Sequence, residues 1–352
     1  MRNFAKISIA GLVASLVLAG CGSDDPDTGT DDANGNGNGG EQTSEVKVGL
    51  AYDVGGRGDQ SFNDAAAAGL DQAIEEYGID SQESTAADGE PESAREERQI
   101  QMAVAGFNPV NGVGFAYAPA VAKVAPQFPE TQFGLIDSTD ATGDNIANLV
   151  FPEHEGSFLV GAAAALKSET GNIGFVGGVN VPLIGKFEAG YRAGAEAVNP
   201  DIEIQSTYLT QPPDFSGFGD PAKGRTAAEG MFDGGADIVY HAAGGSGLGV
   251  FEAAQAAGGL GIGVDSDQYN TVPEELQDVV MTSMLKKVDV AVFDYIKSFV
   301  DGEPLSGEVV FGLEEGGVDY STTGGAVDDI SGELDDYKQQ IIDGEIEVPS
   351  SM

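Results

Sequence analysis

Cysteine occurs once in the 352 residues, at Cys21. A chain with a single thiol near its N-terminus forms no internal disulfide, and its remainder has neither a sulfur nucleophile nor a thiolate metal site. Histidine is almost as scarce. His154 and His241 are too few and too unpartnered for a metal centre, and read as a solvated helix-start residue and a satisfied strand-end residue. Basic side chains are few as well: 16 Lys and Arg stand against 58 Asp and Glu, for a formal net charge of −42. Recognition of phosphate relies on clustered Lys and Arg, so this balance argues against nucleic acid or an anionic lipid surface as partner. Acidic residues spread over every polar stretch instead suggest adaptation to molar salt, where the Debye length is ~3 Å and self-repulsion is screened. A halophilic source, a haloarchaeon, is expected.

Long apolar runs are missing too, apart from Ile7 to Leu18 within MRNFAKISIAGLVASLVLAGC. That run is shorter than the ~20 residues that span a bilayer. Its basic start and the small residues before the cysteine read as a secretory leader over residues 1–21. Leu18-Ala19-Gly20-Cys21 looks like a lipobox, in which the cysteine is acylated and becomes the new N-terminus; the alternative is an uncleaved anchor. Residues 22–45 are mostly Gly, Asn, Asp, Ser and Thr, and cannot offset ordering entropy by burial, so they read as a disordered acidic tether.

What is present is organised around Val48 to Gly69, VGLAYDVGGRGDQSFNDAAAAG. Val48 to Tyr52 reads as a buried parallel strand, and Gly55, Gly56 and Gly58 as a turn leading to a helix. Ser61 or Asn63 can cap that helix, and Asp59 and Asp64 suit its positive end. Strand, loop and helix in this order open an α/β sheet, whose ligands sit beyond the carboxyl ends of the strands, where Asp53, Phe62 and Asn63 lie.

Downstream, the patterning predicts a polar insertion over Ser81 to Glu97, then strands at Gly112 to Ala116, Gln132 to Ile136 and Asn148 to Phe151, with a short helix at Val121 to Phe128. Asp53 and Asp137 thus end two strands of one sheet. A second lobe begins at Pro152, with a helix from Glu153 to Leu166, a strand from Asn172 to Val176, a loop to Gly185 and a helix from Lys186 to Val198. At an offset of 125 this segment repeats the opening, pairing Val48 with Ile173, Gly49 with Gly174, Leu50 with Phe175, Phe62 with Phe187 and Gly69 with Gly194. Five such pairs also arise by chance among Gly- and Val-rich segments. A real repeat would set a phenylalanine at each helix entrance, facing across a cleft.

Strands at Ile202 to Thr207, Asp237 to Tyr240, Gly261 to Val264 and Val279 to Met284 follow, then one near Val309 to Leu313, with helices at Gly224 to Phe232, Phe251 to Ala257, Val288 to Val300 and Leu334 to Ile342. The loop from Ala243 to Gly249 lacks the spacing of a dinucleotide fingerprint, and no Gly-Lys-Ser/Thr phosphate loop occurs. No nucleophile–base pair stands out, and no cofactor is expected.

In order, GLAYDVGGRGDQSFNDAA, PEHEGSFLVGAAAAL, IGFVGG with FEAGYRAGA, YHAAGGSGLGV, IGVDSDQ and TSMLKKVD resemble the basic membrane lipoprotein family, whose characterised members include purine nucleoside receptors of bacterial ABC transporters. The resemblance runs from about Val46 to Val348. It implies a type I periplasmic-binding-protein fold: two α/β lobes, each a doubly wound parallel sheet, joined by three hinge crossovers. The first lobe would hold 46–151 and 268–304, the second 152–267 and 305–352. It further implies that Phe62 and Phe187 sandwich a base, with Asp53 and Asn63 beside it. Asp137 would bond the base edge, Gly245 would approach through its backbone, and Asp265 and Lys286 would hold the ribose hydroxyls. The expected role is an extracytoplasmic substrate-binding lipoprotein, lipid-anchored at Cys21 on the outer face of the membrane, that hands a nucleoside to ABC permease subunits and is not an enzyme. The alternatives are a surface receptor or adhesin of the same fold with another ligand, and a nucleoside hydrolase whose carboxylates activate water.

Overall fold

A computed structural model describes residues 45–352. The leader, Cys21 and all of the expected tether but Glu45 lie outside the described residues.

The chain begins with β1 (Lys47–Tyr52), α1 (Phe62–Tyr77), β2 (Asp80–Thr85), α2 (Glu92–Val104), β3 (Val110–Gly112), α3 (Ala118–Val124), β4 (Phe133–Ile136) and β5 (Ile146–Val150). Then come α4 (Glu153–Lys167), β6 (Asn172–Val179), α5 (Pro182–Val198), β7 (Glu203–Thr210), α6 (Pro221–Asp233), β8 (Ile238–Ala242), α7 (Gly247–Ala257) and β9 (Leu260–Asp265). The last elements are β10 (Val280–Lys286), α8 (Val288–Val300), β11 (Gly307–Val310), β12 (Val318–Tyr320) and α9 (Ser331–Ile342). Central strands such as β1 are buried on both faces, as parallel strands covered by helices must be, and they read as unbroken apolar runs. The edge strand β2, DSQEST, is almost wholly exposed; with α2 it occupies the stretch where the patterning predicted a polar insertion.

The strands form two six-stranded sheets, in the order β11-β5-β4-β3-β1-β2 and β12-β10-β9-β8-β6-β7. All neighbours pair in parallel except β10 and β12. The two orders are the same, and of the residue pairs offset by 125, those in β1 and β6 fall on matched strand positions, whereas those in α1 and α5 do not count from the same helix start. A Cβ at Gly49 would stand 2.9 Å from Met102 Sδ on α2, and one at Gly174 would stand 2.6 Å from Met231 Sδ on α6.

The strand pairing corrects the expected lobe division. β10, within 268–304, pairs with β9 in the second sheet, and β11, within 305–352, pairs with β5 in the first. α8 packs on α1, where a Cβ at Gly69 would press on Asp289 O and Tyr77 stacks on Phe293 at 5.8 Å. The chain therefore crosses between lobes after β5, after β10 and after β11. Helices α4 and α5 touch backbone to backbone: a Cβ at Gly194 would lie 1.9 Å from Phe158 O, which is why these helices are built from Gly and Ala.

Candidate functional site

In each sheet the connections reverse direction beside the strand that opens the lobe, β1 in one and β6 in the other, and the loops beyond the carboxyl edges face each other there. They enclose a cavity lined by apolar side chains and four carboxylates. Of the eight expected ligand-binding residues, Asp53, Phe62, Asn63, Asp137, Phe187, Asp265 and Lys286 line it. Gly245 does not. Gly244, with φ +53, takes the lining position, and Gly245 sits behind it against Phe218 O and Asp59.

Phe62 is the first residue of α1, but Phe187 is not at its helix entrance, because α5 starts a turn earlier at Pro182. Both rings nevertheless converge: Lys286 Nζ is 5.0 Å from the Phe62 ring centroid and 5.5 Å from that of Phe187. An ammonium held over aromatic faces is attracted by their quadrupoles.

Neither Ser61 nor Asn63 caps α1. Asp59 does, accepting the backbone N–H groups of Ser61 at 3.0 Å, Asn63 at 2.8 Å and Asp64 at 3.0 Å. Burial pushes the Asp59 carboxyl up to about 6 in spite of those donors. The Asn63 amide donates to Val54 O and Asp59, and its oxygen accepts from Asp53 N–H, so it clamps the end of β1 onto the helix start. Ser61 is thereby free to reach the other lobe, where its Oγ donates to Asp265 Oδ2 at 2.8 Å. Ser266 Oγ returns a bond to Ser61 O at 2.9 Å, and Gln268 Nε2 one to Gln60 O at 3.0 Å. This seam closes the cleft over the cavity.

Lys286, 2% exposed, forms the charged centre. Its Nζ lies 2.5 Å from Asp137 Oδ2 and 3.5 Å from Glu153 Oε1, with Asp265 also nearby. Burial disfavours the ammonium, but three carboxylates outweigh it and hold Lys286 protonated beyond its ordinary range. Burial likewise lifts Asp137, to about 7, with Lys286 pulling it down and Glu153 pushing it up. Asp265 is raised by burial against the pull of Lys286 and Ser61. Lys186 supplies a second cation, 3.2 Å from Glu153 Oε2. Sequence reasoning missed Glu153 and Lys186 as site residues, because only the crossover after β5 brings Glu153 beside Lys286.

Among the described residues three non-glycines have positive φ, and all lie at this cleft: Gln60 at +56, Asp137 at +70 and Asp265 at +64. A left-handed residue costs roughly 1–2 kcal/mol, least for Asp and Asn, so the backbone stores strain where two carboxylates are aimed. The histidines stand apart. His154 is half-buried at the start of α4, and His241, fully buried with its ring edge-on to Phe251, is driven down to about 4 by burial. Among the described residues no group of three or more His, Cys, Asp or Glu is placed to hold a metal ion, and no helix is long and apolar enough to cross a membrane.

The chain is 33% identical over 371 residues to the CD4+ T-cell-stimulating antigen of Listeria innocua, covering 99% of this chain and 98% of that one. It is 32% identical over 370 residues to the ABC transporter nucleoside-binding protein BmpA of Lactococcus lactis, with 99% of each covered. Among solved structures, an ABC transporter solute-binding protein from Aeropyrum pernix superposes with a TM-score of 0.75 at 31% identity, over 86% of this chain and 94% of that one. The fold is thus that of the periplasmic solute-binding proteins, of type I. With residues 46–352 matching its profile, the chain belongs to the ABC transporter substrate-binding protein PnrA-like (Bmp) family, whose members bind a solute and do not transform it.

Proposed function

We propose that this substrate-binding protein captures a purine nucleoside in the cleft, is held on the outer face of the membrane by lipid at Cys21, and delivers its ligand to ABC permease subunits. One observation carries the reading: Phe62 and Phe187, from different lobes, converge on one cavity that also presents Asp137 and Asp265. A base between two rings gains ~1–3 kcal/mol of stacking per ring, available only when the lobes close. Ser61 occupies Asp265 Oδ2, which leaves Oδ1 for a ribose hydroxyl. Asp137 gives Oδ2 to Lys286 and keeps a buried, unpartnered Oδ1 for an N–H on the base edge.

The cavity lining holds Asp53, Asp59, Asp137 and Asp265 against Lys286 alone. That balance favours a neutral donor-rich ligand over a phosphorylated one. The name of the Lactococcus relative supports a nucleoside, and the leader ending in Leu-Ala-Gly-Cys supports the anchor. Titration calorimetry of the mature protein with guanosine, inosine, their bases, ribose and the monophosphates tests the reading. Tight binding of a nucleoside with weak binding of base and monophosphate is expected. Preference for a free sugar or for a nucleotide would overturn it.

A further inference from the structure

Arg95 is not among the residues that line the cavity. It lies on the first turn of α2 and is 4% exposed. Its Nη2 donates to Asp53 Oδ1 at 2.9 Å, the same oxygen that accepts the Val54 N–H at 2.8 Å. With Oδ1 held twice, Oδ2 is turned over Gly114, which lines the same cavity with φ +106; a Cβ there would stand 2.9 Å from Oδ2. The carboxylate is therefore fixed with one oxygen committed to the protein and the other at the cavity wall.

Arg95 also reaches the second lobe. Its guanidinium carbon is 5.9 Å from the ring centroid of Phe215, which lies between β7 and α6, and Phe215 packs edge-on against Phe115 at 5.8 Å. These contacts border a chamber on the β2 and β7 side of the sheets, opposite the crossover strands. The chamber shares Val54 and Phe115 with the cavity and is also lined by Glu90 and Asp214. Were the lobes to part, the Phe215 ring would leave the guanidinium and water would compete for the bond to Asp53.

We propose that Arg95 is a positioning residue: it aims Asp53 Oδ2 at a donor on the ligand's heterocycle, and lobe closure secures that aim by seating Phe215 over the guanidinium. This rests on the nucleoside reading of the cavity. Asp53 is faced by Arg95 and Glu90 from the segment entering α2 and by Tyr117 after β3, with Asp59 ahead of α1 on the same cavity wall and Asp214 of the second lobe at the chamber. Burial lifts the Asp53 carboxyl, Arg95 is the main influence opposing that rise, and Glu90 adds to it.

The test is titration of the whole mature protein with inosine between pH 5.5 and 8.5, comparing each variant with the wild type at the same pH. Arg95→Met keeps the stem and removes the charge. It should lower affinity ~tenfold at the acid end and recover as pH rises, since Asp53 without its cation holds a proton longer. Asp53→Asn should lower affinity by a ratio that does not recover, and Arg95→Met added to it should change little more. Arg95→Lys should restore part of the loss. A loss that is the same at every pH, or as large in the Asp53→Asn background, overturns the proposal. Should Arg95→Met not fold, Phe215→Ala carries the test, with a smaller pH-dependent loss expected and unaltered inosine binding overturning it. If the wild type binds no nucleoside, the function reading itself fails, an outcome distinct from all of these.

Discussion

Asp137 and Asp265 stand at matching points of the two sheets, one directly after β4 and the other ending β9, both with left-handed backbone, and both face the ammonium of Lys286. The internal repeat has thus placed a strained carboxylate on each side of one cation. The two differ in what else they touch. Asp137 is bonded by Lys286, whereas Asp265 is bonded across the cleft by Ser61. One group answers mainly to charge and the other to closure.

For Asp265 that difference predicts a selective loss. Replacing a buried charge-assisted bond costs roughly 1.5–3 kcal/mol, or about ten- to more than a hundredfold in affinity. Asp265→Asn keeps a residue that tolerates positive φ and should weaken nucleoside binding by that factor. Binding of the free base should barely change. Calorimetry with inosine and hypoxanthine measures both, and equal losses would remove the ribose role.

The phenylalanines should behave in the opposite way. Phe62→Ala and Phe187→Ala each delete one face of the stack, worth ~1–3 kcal/mol, so nucleoside and base should weaken together by about five- to more than a hundredfold. A variant that loses nucleoside but keeps base would show that its ring packs against the sugar.

Much of this site was legible because its residues lie in short local signals. Phe62 and Asn63 follow a glycine-rich turn after an apolar strand, and Asp137 and Asp265 end apolar runs, so their place at a carboxyl edge follows from local pattern alone. The rest depends on pairings that no local window contains. Asp59 won the helix cap from Ser61 because Ser61 bonds across the cleft, a partner more than two hundred residues away in the chain. The strand β2 was hidden because an exposed edge strand needs no apolar residues. The lobe division misplaced β10 and β11, since which sheet a strand joins is decided by packing of the crossovers and not by the strand's composition. Gly245 yielded to Gly244 for a smaller reason, a positive φ one residue earlier than glycine spacing alone can tell.

The lipid anchor is predicted by the leader alone. Cys21→Ala should release soluble protein to the medium or leave an unprocessed precursor, read by fractionation and by mass of the N-terminal peptide. A membrane-bound variant cleaved at the same site would exclude lipid attachment at Cys21.

Charge predicts a salt response. With 58 acidic and 16 basic residues, self-repulsion at low ionic strength opposes the compact state, and molar salt screens it within ~3 Å. The thermal midpoint should rise between low and multimolar KCl; a flat or falling midpoint would argue against adaptation to high salt.

The last prediction concerns pH and follows from Asp137. Its carboxyl is raised to about 7 in the folded protein, against about 3.9 in an unfolded chain. Between those values the folded state binds the extra proton, so stability falls as pH rises through the window and levels off above about 7. The cause is burial among Glu153 and Asp265, which Lys286 only partly offsets; each pH step up adds negative charge to a site already rich in it. Asp137→Asn removes the titrating group, so wild-type stability should drop relative to this variant between pH 4 and 7, and the difference should be constant at higher pH. Denaturant midpoints of the two proteins at fixed salt give that difference directly, because the surface carboxylates titrate alike in both and cancel. If the two midpoints run parallel across the whole range, Asp137 is ionised throughout and Lys286 neutralises it fully.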